Sequence, residues 1–332
     1  MNLCAELKTD YENILTEVKK LRQLNFRTQK KEAWQVKDRL ISSMKRFAFN
    51  EKDITDETVF CFDDINVDTT KNWEKMPTNL RIVTGSLFLG EKTAFDFDNL
   101  QKIGGDLSAE KIRDFTTIEL KIIGGSLMAR DAHYFYAQKL ESVGTDLFAT
   151  KALDVDLPEL RTVGHTLLAP FARKLFIDSL ETVGQDIFVD LIVDLIAPKL
   201  ISVGGILMAK KAERVEAPSL ESVGAKGCDL QINEAKIIHL PKLRTVGRHI
   251  QAMNAGELVL PKLETVAGQI FANNAALFKA DELQSVGYSI SALSANRFIA
   301  PKLKKITELQ VTSALIEEMS VPSQTTKKIV WN

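Results

Sequence analysis

Three aspartates recur forty residues apart in this chain, at Asp106, Asp146 and Asp186. Two carboxylates held about 5–10 Å apart can hydrolyse a glycosidic bond, one as general acid and the other as nucleophile or base. The chain also has four histidines, the other side chains suited to acid–base chemistry: His133, His165, His239 and His249. Whether any of these groups can act together depends on the elements that carry them.

Those elements are repeats of 20 residues. The segments Leu140-Glu141-Ser142-Val143-Gly144, Leu160-Arg161-Thr162-Val163-Gly164 and Leu180-Glu181-Thr182-Val183-Gly184 carry one pattern. With the Val or Ile of each unit as position 0, the anchors are Val83, Ile103, Ile123, Val143, Val163, Val183, Val203, Val223, Val246, Val266, Val286 and Ile306. A fixed period of this length indicates a repeat array, here of about eleven coils.

The spacing of apolar residues within a unit predicts a flattened coil. They fall at positions 0, 4, 6, 9, 12, 14 and 17, which gives short alternating segments separated by steps of three or four. Such segments are typical of strands joined by corners, and coils stack about 4.8 Å apart. We expect the frequent glycine at position 1, often followed by a second at position 2, to supply a corner that tolerates positive φ. One unit, from Val223 to Val246, has three extra residues near Ala225–Gly227, which predict either a tolerated bulge or a recognition loop.

The unit resembles the leucine-rich-repeat type of solenoid. The resemblance rests on Val-Gly-Gly-x-Leu-x-Leu and Leu-Pro steps, here Leu147-Phe148-Ala149 and Leu157-Pro158-Glu159-Leu160, over residues 78–312. The nearest form is the short bacterial and phage variety, and the unit is also similar to receptor L-type coils. Alanine replaces the asparagine of the internal ladder in leucine-rich repeats, so a straighter, β-helix-like coil is the alternative.

The predicted fold is therefore mainly β, a right-handed solenoid of about eleven coils that is leucine-rich-repeat-like or β-helix-like. Amphipathic spacing over residues 3–21 and 29–47 predicts two helices ahead of it. We expect residues 1–75 to form a helical N-terminal module and cap, 76–312 the solenoid, and 313–332 a C-terminal cap.

Bulk properties narrow the classes of function. Lys and Arg number 43 against 44 Asp and Glu, so nothing in the net charge favours nucleic acid or an anionic membrane. The three cysteines, Cys4, Cys61 and Cys228, lack the spacing of a disulfide framework or zinc site. No apolar run is long enough to span a membrane, and the N-terminus lacks a signal-peptide core. We expect a cytoplasmic protein, or one delivered to a host cell without a cleaved signal, that uses no cofactor or metal.

Position 5 is unexpectedly apolar, although its side chains point outward from the predicted sheet. Five consecutive coils carry large apolar residues there, and we call these five residues the apolar stripe: Met128, Phe148, Leu168, Phe188 and Met208. Polar side chains at positions 3 and 7 surround it: Asp146, Asp186, Arg130, Asp190 and Lys210. Exposed apolar surface with a polar rim is typical of a protein-binding patch. The alternatives are that the predicted N-terminal helices cover the stripe, or that a second copy does.

The repeat separates the groups suited to catalysis. The histidines fall at different corners, and Asp106, Asp146 and Asp186 lie two coils apart, about 10 Å, at the upper edge for paired-carboxylate hydrolysis. No phosphate loop, HExxH or GxSxG motif is present.

The sequence thus predicts a non-enzymatic protein–protein interaction scaffold. The alternatives are a self-assembling structural solenoid and a carbohydrate-binding or carbohydrate-cleaving β-helix. The last would need aromatic platforms beside carboxylates on one face, and position 5 holds neither Trp nor Tyr.

Overall fold

The computed structural model describes residues 59–61, 65–66, 80–83, 85–90, 99–225, 227–295, 297–312 and 327–331. The predicted helices at 3–21 and 29–47 lie outside these residues, so the helical N-terminal module remains a prediction. Within the described ranges, no helix is long and apolar enough to cross a membrane.

The described chain is a parallel β-solenoid with three walls. Sheet A, at positions −1 and 0, contains β1 (Val59–Cys61), β3 (Leu80–Val83), β5 (Lys102–Ile103), β8 (Ile122–Ile123), β11 (Ser142–Val143), β14 (Thr162–Val163), β17 (Thr182–Val183), β20 (Ser202–Val203), β23 (Ser222–Val223), β26 (Thr245–Val246), β29 (Thr265–Val266) and β32 (Ser285–Val286). Sheet B, at positions 4 and 5, contains β2 (Ile65–Asn66), β4 (Leu87–Phe88), β6 (Leu107–Ser108), β9 (Leu127–Met128), β12 (Leu147–Phe148), β15 (Leu167–Leu168), β18 (Ile187–Phe188), β21 (Leu207–Met208), β24 (Leu230–Gln231), β27 (Ile250–Gln251), β30 (Ile270–Phe271), β33 (Ser289–Ala292), β35 (Glu308–Thr312) and β36 (Lys327–Trp331).

The third wall, around positions 11–13, is divided into two sheets. Sheet C contains β7 (Asp114–Thr117), β10 (Tyr134–Ala137), β13 (Asp154–Asp156) and β16 (Lys174–Phe176). Sheet D contains β19 (Asp194–Ile196), β22 (Arg214–Glu216), β25 (Ile237–His239), β28 (Glu257–Val259), β31 (Leu277–Lys279) and β34 (Phe298–Ile299). The wall is thus interrupted between β16 and β19, whereas sheets A and B run past this point.

The structure confirms a mainly β, parallel solenoid of about eleven coils with a spacing of about 20 residues. Leucine-rich repeats pair one strand per unit with a helix or 3₁₀ segment. Here most coils contribute three strands, which is the β-helix-like arrangement. The first described strands, β1 and β2, already pair with β3 and β4, and β36 extends sheet B beside β35.

The core is filled by the positions that the sequence predicts to point inward. In one central coil they are fully buried: Val143, Leu147, Ala149, Ala152, Val155, Leu157 and Leu160. Like residues stack along the solenoid axis, as the parallel rings of Phe278 and Phe298 show, with centroids 4.6 Å apart. Each coil therefore packs mainly on its two neighbours.

Glycine recurs at position 1 mainly because successive coils approach each other closely there. Among the described glycines at position 1, only Gly224 has positive φ, so a left-handed corner is not the general reason for the repeating glycine. A Cβ on Gly184 would instead lie 1.9 Å from the carbonyl oxygen of Gly164, one coil away. Close approach of successive backbones, rather than φ, is what excludes a side chain here.

The three extra residues near Gly227 form a local turn between β23 and β24. Gly224 and Gly227 have φ of 69° and 87°, and the N–H of Gly227 donates to the Gly224 carbonyl over 2.8 Å. The register resumes directly afterwards, because Leu230 pairs with Leu207. The insertion is therefore absorbed at a corner of the coil, and its role stays a prediction.

Candidate functional site

The apolar stripe lies on the outer face of sheet B, with its five side chains in register. Phe148 pairs with Met128 on one side and Leu168 on the other, and Phe188 lies between Leu168 and Met208. Each of these side chains is half-buried, whereas the residue before it points into the core. The stripe is therefore a continuous apolar ladder across five coils.

Arg130 lies against this ladder. Its guanidinium carbon is 4.9 Å from the centroid of the Phe148 ring, within the range of a cation–π contact. The same guanidinium forms an ion pair with Glu110 one coil away. Both partners of the ion pair are exposed, so it contributes little to stability, but it fixes where Arg130 borders the stripe.

Asp146 and Asp186, predicted as rim residues, make hydrogen bonds between coils. The Oδ1 atom of Asp146 accepts from the Thr166 N–H over 3.0 Å, and that of Asp186 accepts from the Ile206 N–H over 2.7 Å. Asp106 accepts in the same way from Ser126. The forty-residue recurrence of aspartate therefore has a structural explanation, because each carboxylate satisfies a backbone donor of the next coil.

Asp190, two residues after Phe188, lacks such a hydrogen bond at one of its carboxylate oxygens. Its Oδ1 atom is buried and has no hydrogen-bond partner in the described part of the chain. A buried polar group without a partner costs about 1–3 kcal/mol, and more when it is charged. Lys210 occupies the same position one coil further on and is half-buried. One carboxylate oxygen at the border of the stripe is therefore left without a donor among the described residues.

Exposed apolar side chains continue around the corner beside the stripe, and we call this set the corner patch: Phe171, Phe176, Leu191, Val193 and Ile196. Phe171 and Phe176 are each 50% exposed. The patch lies on the two coils that carry Leu168 and Phe188, where the third wall is interrupted between β16 and β19. The apolar surface is thus widest at these two coils.

The corner patch could have been found in the sequence, although position 5 alone did not predict it. Position 8 is charged in four neighbouring coils: Lys111, Asp131, Lys151 and Lys211. Phe171 and Leu191 replace those charges in two consecutive coils. The interruption of the third wall, by contrast, leaves no mark in the 20-residue spacing.

The apolar run on the outer face of sheet B is interrupted beyond Met208. Gln231 and Gln251 occupy position 5 there, and the Nε2 atoms of both donate to Asp229 Oδ2 over 3.3 Å. Phe271 follows at position 5, with its ring centroid 5.9 Å from that of His249, which accepts from the Gln269 N–H at its Nδ1 atom. The continuous apolar stripe therefore covers five consecutive coils and is separated from Phe271 by two polar ones. In the described solenoid, no three or more His, Cys, Asp or Glu residues cluster in a way that could hold a metal ion.

Comparisons of the chain with protein-family models, with curated proteins and with solved structures found no match. The likeness to leucine-rich repeats is therefore a resemblance of pattern, and the function has to be inferred from the geometry of these surfaces.

Proposed function

We propose that this protein is a non-enzymatic interaction scaffold that binds a protein partner through the apolar stripe and the adjoining corner patch. The observation that carries the proposal is the continuous ladder of five apolar side chains on the outer face of sheet B, with the half-buried carboxylate of Asp190 at its border. Apolar surface of this extent favours an interface, and the unsatisfied acceptor gives it a polar anchor. The resemblance to short bacterial and phage repeats supports an effector-like role that is exerted by binding.

The chemistry of the surface defines the partner. It must present apolar side chains that pack on Phe148, Leu168 and Phe188, and an N–H or cationic donor that reaches Asp190. Arg130 and Lys210 on the border favour a carboxylate elsewhere on the partner's rim, because opposite charges at a rim orient the encounter. We assign the surface to a heterologous protein, and self-association is a separate outcome of the test.

The test is the double variant Phe148→Asp/Phe188→Asp, with Phe271→Asp as the matched control, because Phe271 occupies the same position of the repeat between the polar residues Gln251 and Ser291. Affinity capture from host lysate identifies candidates, and each is then purified and titrated directly. We expect wild type and the control to bind the same purified protein, and the double variant to lose at least about a hundredfold in affinity.

The melting temperature of each variant and its mass by light scattering complete the test. Equal binding by the double variant would contradict the proposal, as would a wild type that captures only its own copies. A large loss of stability in the double variant would show that residues of the same chain cover the stripe.

A further inference from the structure

A groove of about 360 Å³ lies on the outer face of sheet C, away from the apolar stripe. Its lining combines one aromatic ring, one apolar side chain and four hydrogen-bonding groups: Thr116, Thr117, Ile118, Tyr136, Gln138 and Asp156. The volume falls within the range of small-ligand sites, which is about 300–1,000 Å³. The lining comes from three successive coils.

Two tyrosines on β10 form an aromatic surface at this groove. Tyr134 and Tyr136 flank the buried Phe135, so both project outward from the same strand. Their rings are nearly parallel, at 15°, with centroids 6.4 Å apart. Tyr134 is 45% exposed. Tyr136 lines the groove and Tyr134 lies two residues before it on the same strand, so the two rings can support a flat ligand that runs along β10.

Carboxylates lie in register beside these rings. Tyr134 pairs with Asp114 on one side and Asp154 on the other, and Tyr136 pairs with Thr116 and Asp156. Burial, and after it the carboxylate of Asp178, raises the pKa of Asp156. Burial, and after it the carboxylate of Asp154, raises the pKa of the Tyr136 phenol. The groove is thus partly desolvated and negative.

The two threonines of β7 face opposite sides of sheet C. Thr116 pairs with Tyr136 and is exposed on the groove side, where its hydroxyl can donate to and accept from a ligand. Thr117 pairs with Ala137, which is fully buried in the core, so the side chain of Thr117 points inward and its Oγ1 atom is not part of the ligand-facing surface.

We propose that this groove binds an uncharged saccharide. The apolar faces of sugar rings pack on aromatic rings, and sugar hydroxyls both donate and accept hydrogen bonds. The carboxylates accept, whereas the Thr116 hydroxyl and the Gln138 amide can donate and accept, which matches such a ligand. Asp114, Asp154 and Asp156 disfavour sugars that carry carboxylate or sulfate groups. Aromatic platforms beside carboxylates, which position 5 lacks, are thus present on a different face.

The experiment measures binding of the full chain to an array of neutral hexose, pentose and N-acetylhexosamine oligosaccharides, with oligogalacturonate and oligolysine as charged probes. The tightest neutral oligosaccharide is then titrated by calorimetry. We expect Tyr136→Ala to weaken its binding at least about tenfold and Thr116→Val about threefold, with unchanged melting temperatures. Tyr288→Ala is the matched control, because Tyr288 is 63% exposed but does not line the groove.

Three results would overturn the proposal. They are failure of every neutral oligosaccharide to bind, equal binding by wild type and both groove variants, and tighter binding of oligolysine or oligogalacturonate than of any neutral probe. Since the groove lies on sheet C and the apolar stripe on sheet B, the stripe variant Phe148→Asp/Phe188→Asp should retain saccharide binding. The two proposals can therefore fail independently.

Discussion

The aspartates of sheet B divide into two kinds according to what their carboxylates contact. Asp146 and Asp186 each accept a backbone N–H of the next coil, so their charge is compensated within the chain. Asp190 has a buried oxygen that nothing in the described chain satisfies. A buried acceptor without a donor destabilises the free protein, and it can be retained where a bound molecule supplies the donor.

This difference predicts opposite effects of one substitution. Asp190→Asn removes the charge of a half-buried carboxylate whose Oδ1 atom has no partner, so we expect the free energy of unfolding to rise by up to about 1 kcal/mol while partner affinity falls. Asp186→Asn weakens a charged hydrogen bond, so we expect a loss of about 1–2 kcal/mol. Urea unfolding of both variants measures the two changes. Destabilisation of similar size in both would mean that Asp190 is satisfied within its own chain.

The residue types predicted the stripe but not the roles of its neighbours. Alternation around Leu147 and Leu167 is enough to place Phe148 and Leu168 on the outer face, because side chains in a strand alternate. The hydrogen bond from Thr166 to Asp146 depends on which backbone N–H groups the ladder leaves free. The apolar pattern carries no information about that.

At the scale of the elements, the corner at positions 7 and 8 changes its turn type along the solenoid. In the earlier coils the backbone N–H of position 8 donates to a carbonyl of the preceding coil, as from Lys211 to Asp190. From Glu234 onward this N–H donates instead to a carbonyl of the following coil, as from Glu234 to Met253. Position 8 has positive φ in these coils. The flip of this peptide corresponds to a change from a type I to a type II turn, which needs positive φ at its third residue.

The turn change predicts a stabilising glycine at one coil and a destabilising one at its neighbour. Glu234 has φ of 66°, a conformation that costs a side-chain-bearing residue about 1–2 kcal/mol. We therefore expect Glu234→Gly to raise the free energy of unfolding by about 0.5–1 kcal/mol. Lys211 occupies the same position without positive φ, so Lys211→Gly should lower it by a similar amount. Thermal melts of the two exposed-site variants test this prediction, and a lower melting temperature in both would contradict the assigned turn.

The elements show how far the repeat pattern reaches. The 20-residue period and the inward positions predicted the coils, and Val143, Leu147 and Leu160 are buried as expected. The pattern did not predict the division of the third wall, because Leu175 and Leu195 still point inward on both sides of the interruption. What changes there is backbone pairing, which the apolar spacing does not record.

At the scale of the whole molecule, the solenoid distributes its surfaces by coil and by wall. The apolar stripe and the corner patch meet on the coils of Leu168 and Phe188, and the groove at Tyr136 lies on another wall of earlier coils. Because each coil contacts mainly its neighbours, a distant coil affects these surfaces only through the coils between them. The interaction surfaces should therefore respond locally to a defect in the core.

Leu160→Ala tests this local coupling. Leu160 is fully buried in the central part of the array, so the substitution should cost about 2–5 kcal/mol through lost packing and a cavity. In a quasi-one-dimensional fold, amide hydrogen exchange should accelerate first in the coils around Val143 and Val163, and much less around Val286. The matched variant is Leu303→Ala, at the same repeat position near the end of the described array, where acceleration should appear around Val286 instead. Uniform acceleration throughout the chain in both variants would show that the solenoid unfolds as a single cooperative unit, and partner and saccharide binding would then be lost together.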